Sequence, residues 1–175
     1  PVWATVGTAR ALGIEHYRCL SGGSYIELGD MKVEAVTVPH DAAEPVQFVF
    51  TDQLSERRFG LLTDSGHITP HMLAAYSDVH GLLLEFNYDP ELLARGPYPN
   101  SLKQRVSGSL GHLSNQQALG LLQRLDNKHL ECLIAAHISQ KNNHPDLVHD
   151  LLQDWSTRMR TVIACQQQGF DWIEI

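Results

Sequence analysis

Short apolar runs, each closed by a polar or ionisable residue, recur along the chain. Phe59-Gly-Leu-Leu-Thr63 has no helical period and predicts a buried strand. It ends on Asp64 and then on the sharp turn Ser65-Gly66. Thr69-Pro70 follows, with Thr at an N-cap and Pro at the first helical position, and predicts a short helix over His71 to Tyr76. Two further runs close in the same way: Val33 to Val38 leads into Pro39-His40-Asp41, and the run ending at Ala136 leads into His137. Gly81-Leu-Leu-Leu-Glu85-Phe86 is a fourth buried strand, closed by Asn87-Tyr88-Asp89.

The other patterns fill in the order of elements. Pro1 to Thr5, His16 to Leu20, Ser24 to Leu28 and Val46 to Thr51 read as strands, and Thr8 to Leu12 as a helix stopped by Gly13. After Asp64, short helices are predicted over Pro90 to Ala94 and Ser101 to Val106, around Gly96-Pro97-Tyr98-Pro99. Ser114-Asn-Gln-Gln117 is a capping box opening a helix to about Leu125, with Ala118, Leu121, Leu122 and Leu125 on one face. Glu131 to His137 is the next strand. Asn142-Asn143-His144-Pro145 leads into a helix to about Trp155, and Thr161 to Cys165 and Phe170 to Ile175 are expected as closing strands. A β-rich first third followed by β/α alternation predicts one α/β domain over 1–175, layered (α+β), with mixed sheets. Its opening lies inside a strand, which is the pattern of a later part of a longer protein.

Composition narrows the function classes. With 43% hydrophobic and 19% charged residues the chain is of ordinary globular type. No apolar run approaches the ~20 residues of a membrane span, and no signal-peptide pattern is seen. Cys19, Cys132 and Cys165 are odd in number and widely spaced, which fits buried free thiols in a reducing cytoplasm. A net charge of −7 argues against a broad basic face for nucleic acid. It leaves room for a phosphodiester if bound metal supplies positive charge.

Ten histidines are the compositional oddity. Imidazole and carboxylate are ligands that zinc, manganese and iron accept, and the end of a buried strand holds such a ligand rigidly. His40, Asp64 and His137 are therefore expected to meet at one edge of one sheet, where α/β proteins place their chemistry. The alternative, three unrelated strand-end residues bonded to nearby backbone, stays open on these residues alone.

The ordered set Thr63-Asp-Ser-Gly66, Leu84-Glu-Phe-Asn-Tyr-Asp89, Gly96-Pro-Tyr-Pro99, Leu102-Lys-Gln-Arg105, Gly111-His-Leu-Ser-Asn115, Ala136-His-Ile-Ser139 and Lys141-Asn-Asn143, with His40-Asp-Ala-Ala-Glu-Pro45, closely resembles the YycJ-type branch of the metallo-β-lactamase-fold hydrolases. That branch is related to ribonuclease Z, and DNA exonuclease activity, 5′ to 3′, is attributed to members. The resemblance implies the C-terminal part of an αββα sandwich and two divalent ions, zinc or manganese, in an intact protein. It implies that His40, Asp64 and His137 are metal ligands, with Asp64 bridging. His112, just before a helix N-terminus, would act as the proton-donating or phosphate-contacting histidine; a helix-entry residue bonded to backbone is the other reading. The family's His-x-His-x-Asp-His signature does not occur here, so partial or no metal is expected for this stretch alone. Tyr88 stands where the family commonly has His. Lys103 and Arg105 are candidate phosphate contacts, or simply a solvated face; Asn87 and His67 are candidates for orienting ligands from behind. DNA is the expected substrate. A hydrolase of small esters, thioesters or lactams is the first alternative, and an inactive domain that pairs into a homodimer through exposed sheet edges is the second.

Overall fold

The computed structural model describes all 175 residues. Two short parallel strands, β1 (Trp3–Ala4) and β2 (Arg18–Cys19), flank helix α1 (Val6–Leu12). Thr5 caps α1, and Gly13 ends it with a left-handed φ of 64°. The body is a seven-stranded sheet in chain order: β3 (Tyr25–Leu28), β4 (Met31–Thr37), β5 (Val46–Asp52), β6 (Arg58–Leu62), β7 (Gly81–Glu85), β8 (Cys132–Ala136) and β9 (Arg160–Ile163).

The sheet changes character at β6. From β3 to β6 the pairing is antiparallel, as hairpin connections dictate. From β6 to β9 it is parallel, with helical crossovers. The crossovers carry α2 (Pro70–Tyr76), then α3 (Pro90–Arg95), α4 (Asn100–Val106) and α5 (Asn115–Arg124), then α6 (Pro145–Leu151) and α7 (Gln153–Ser156). Because β4 and β6 each lie antiparallel to β5, they run in the same direction. The ends of β4, β6, β7 and β8 therefore fall at one edge of the sheet.

The two faces of the sheet differ. One meets the helices, and 22 buried residues fill that layer, including Val49, Leu62, Leu82, Leu84 and Leu133 from the strands and Met72, Leu121, Leu122 and Leu152 from the helices. Alternation along each strand sends Phe48, Phe50, Phe59, Leu83 and Ile134 to the other face, which carries no helix. Cys132, Ile134 and Ala136 are buried there against Phe59, Leu83, Val162, Ile173 and Ile175.

Two expectations for the C-terminal third change. Phe170 to Ile175 is not a strand: it has no ladder partner and crosses the helix-free face, so its alternating apolar residues are used for packing rather than pairing. The helix expected to run to Trp155 is interrupted at Leu152 (φ −98°, ψ 6°) into α6 and α7. No helix is long and apolar enough to cross a membrane.

Candidate metal centre

Four strand ends deliver ionisable side chains to the shared edge. His40 lies three residues beyond β4, Asp64 two beyond β6, Glu85 is the last residue of β7, and His137 immediately follows β8. His112 arrives from the loop between α4 and α5. That loop lies against the 64–67 turn because Gly66 has no side chain: a Cβ there would come within 2.4 Å of the Ser109 backbone. Asp64 and His137 both hold left-handed backbone, φ 51° and 54°, an uncommon conformation for residues with a side chain.

Glu85 is the hub. Its side chain is fully buried, and Oε1 accepts from Nδ1–H of His137 at 2.6 Å and of His112 at 2.7 Å. Its other oxygen accepts the backbone N–H groups of Ser65 and Leu113 at 3.3 and 3.2 Å. Burial opposes ionisation of Glu85, but the hydrogen bonds from His112 and His137 outweigh it and hold the carboxyl below its usual range. The Glu85 hydrogen bond raises His137 against the opposing effect of burial.

The opposite ring nitrogen of His137 faces Asp64, as does Nε2 of His40, whereas His112 comes to Asp64 through Nδ1, at 3.6 Å. Nε2 of His40 and Nε2 of His137 each lie 3.9 Å from the same carboxylate oxygen, Oδ1. That is too long for a hydrogen bond and suits donors that share an ion. Nδ1–H of His40 donates to the Gly111 carbonyl at 3.0 Å, which leaves its Nε2 as the free acceptor. Ligand-capable atoms of Asp64, Glu85, His112 and His137 all lie within 4.8 Å of one another. Since Glu85 is consumed by two imidazoles and two backbone N–H groups, the outward donor set is His40 Nε2, His137 Nε2 and Asp64. Imidazole and carboxylate in this combination fit a zinc- or manganese-type ion.

The remaining candidates stand around this core. Asn87 donates from Nδ2 to the His137 carbonyl at 3.1 Å and so braces the end of β8. His67 donates from Nδ1 to Ser109 O at 2.8 Å, outside the cluster. Lys103 donates to Ala94 O at the end of α3. Arg105 is hydrogen-bonded to Asp41, whose carboxyl is lowered chiefly by that bond, and Asp41 lies 3.5 Å from Nε2 of His40. Arg105 thus ties α4 to the His40 loop. Tyr88 is buried beside Ser114.

Sequence reasoning gave Glu85 no role. The available signal was an acid closing a run of leucines with no cation in sequence nearby. It also missed the buried amide pair behind the site, in which Asn115 and Asn143 exchange hydrogen bonds at 3.0 and 2.8 Å while Asn143 also donates to Phe86 O.

No family model matches the sequence. Among curated proteins, the exodeoxyribonuclease YycJ of Bacillus anthracis is 32% identical over 150 residues, covering 86% of this chain and 53% of that protein. The exodeoxyribonuclease WalJ of Streptococcus pneumoniae is 35% identical over 121 residues, covering 69% of this chain and 44% of that protein. Among solved structures, the metallo-β-lactamase-fold protein YhfI of Bacillus subtilis superposes with a TM-score of 0.68 at 16% identity, over 99% of this chain and 65% of that one. Zinc-bound PqqB of Methylobacterium extorquens gives 0.63 at 14% identity, over 97% and 64%.

By its fold the chain is a metallo-β-lactamase-fold protein, with the architecture of these solved structures. Within that fold, the chain is related to the YycJ and WalJ exodeoxyribonucleases, and it spans about half the length of these curated relatives.

Proposed function

We propose that the protein carrying this chain is a metal-dependent phosphodiesterase that cuts DNA, as an exonuclease. The observation that supports this best is the convergence of three imidazoles and Asp64 on one point, backed by a buried carboxylate. The names of the related exodeoxyribonucleases support DNA as the substrate.

In this reading His40, Asp64 and His137 hold divalent metal, with Asp64 between the two imidazoles. When bound, such an ion supplies positive charge for a phosphoryl oxygen and lowers the pKa of bound water. Glu85 fixes the tautomers of His112 and His137, because a carboxylate accepts the proton on each Nδ1 and so determines the state of each Nε2. His112, held through Nδ1–H by Glu85, hands a proton from Nε2 to the leaving oxygen and keeps its Nδ1–H on the carboxylate. Arg105 acts through Asp41 to position His40 rather than by touching DNA, and Lys103 holds the end of α3. The unpaired outer edges of β3 and β9 favour pairing of two copies when the chain stands by itself.

The test is Asp64→Ala in the full-length protein. Metal-dependent degradation of DNA is expected to vanish with the fold intact; activity retained at the parent level contradicts the assignment.

A further inference from the structure

A cavity of about 470 Å³ opens directly beside the cluster, within the range of small-molecule sites. His112 and His137 form one wall, and Tyr98, Ser139, Lys141 and Asn142 form others. Tyr98 is half-buried and fixed between Pro97 and Pro99, whose locked φ angles hold the loop. The Lys141 ammonium lies 5.7 Å from the centre of the Tyr98 ring and has no carboxylate partner. Asn142 is only 2% exposed and closes one side of the cavity, with its Nδ2 reaching Ser139 Oγ at 3.4 Å.

These features match one nucleotide. Aromatic rings bind any base through its π-face, and a lysine serves a phosphate as a point charge. With a net charge of −7 the chain has little to offer a long run of backbone phosphates, so recognition is concentrated at few contacts. We propose that this cavity is a single-nucleotide subsite: Tyr98 stacks one base, Lys141 takes the phosphate on the far side of that nucleotide, and the near phosphate meets the imidazole–carboxylate cluster. The reading rests on DNA as substrate and adds that one unpaired nucleotide is held next to the cut.

The probes are thymidine 5′-monophosphate, thymidine 3′,5′-bisphosphate and inorganic phosphate, titrated calorimetrically into the full-length protein with manganese present. The bisphosphate is expected to bind tighter than the monophosphate, and Lys141→Gln should erase that difference. Tyr98→Leu should weaken both nucleotides by about 5- to 100-fold, the worth of one stacked base, and leave inorganic phosphate unchanged. Tyr98→Phe should bind like the parent. Inorganic phosphate binding as tightly as the nucleotides, or a folded Tyr98→Leu with parental nucleotide affinity, overturns the proposal. Should Tyr98→Leu not fold, photocrosslinking of 5-iodo-deoxyuridine monophosphate to the parent protein decides: attachment at Tyr98 supports the subsite, and attachment elsewhere rejects it. The assay reads binding, so it separates from the functional reading. Tight nucleotide binding without DNA cleavage removes the nuclease and keeps the subsite. Cleavage at the parental rate and with parental KM in a folded Tyr98→Leu removes only the subsite.

Discussion

The two edges of the main sheet carry similar residue types and use them in opposite ways. At the edge where β4, β6, β7 and β8 end, three imidazoles surround Asp64, and the rings of His112 and His137 are oriented from behind by Glu85. At the other edge, where β6, β7 and β8 begin, charges cancel in local pairs. Arg57 pairs with Glu131, and His129 lies 2.6 Å from Asp78. His80 stacks on His129, and its Nδ1 accepts from the Arg58 backbone at 3.1 Å. The first edge leaves ring nitrogens facing a common point; the second leaves each group with its own neighbour. Histidine and acid in proximity are therefore not enough to make a site. What distinguishes one is a buried acceptor that fixes the imidazoles and frees their outer nitrogens.

The largest effect that sharpens this contrast should come from Glu85→Ala. It leaves two imidazoles and two backbone N–H groups without their buried acceptor, so a loss of about 3–5 kcal/mol is expected in urea denaturation. Gly66→Ala comes next. A methyl group 2.4 Å from the Ser109 backbone forces the 107–113 loop away, at about 1–3 kcal/mol, and should displace His112. Crystallographic or NMR comparison of the His112 ring position checks this.

The pH dependence of stability should have opposite sign at the two edges, measured in chelator-treated protein. Burial, followed by the Arg57 charge, pushes His80 down. Its contribution is complete above about pH 6.5 and is lost as pH falls below it. The Glu85 hydrogen bond holds His137 up, so its contribution is complete below about pH 6.5 and fades as pH rises through the raised value. His80→Gln should flatten the acid side of the stability profile and His137→Gln the neutral side. Shifts of the same sign in both variants would break the comparison. The smallest effect belongs to Arg57→Ala, which breaks a solvent-screened ion pair and should leave the denaturation midpoint close to that of the parent in the same assay.

The legible part of the fold was the strand pattern, because β6, β7 and β8 are short apolar runs with abrupt ends, and a run that stops on His or Asp states where that residue sits. His40, Asp64 and His137 fall at one edge for this reason. Glu85 was not legible as a hub. Its role depends on two imidazoles 27 and 52 residues away, and local pattern carries no record of them. The approach of the His112 loop depends on Gly66, which in sequence reads only as a turn residue. The 170–175 segment has strand-like composition, but pairing needs a neighbouring backbone edge, and its place in the fold offers a sheet face instead. Lys103 and Arg105 read as free cations until the fold supplied Ala94 and Asp41 as partners.

In the proposed reading the His40–Asp64–His137 edge grips divalent metal and the His80–His129 edge does not. Zinc titration of chelator-treated protein, comparing the parent with Asp64→Ala and His129→Ala, tests it most directly. Binding is predicted in the parent and in His129→Ala, with a loss of at least about tenfold in Asp64→Ala, the scale on which ligand-shell changes act. Unchanged zinc affinity in a folded Asp64→Ala, or loss of binding in His129→Ala, would contradict it.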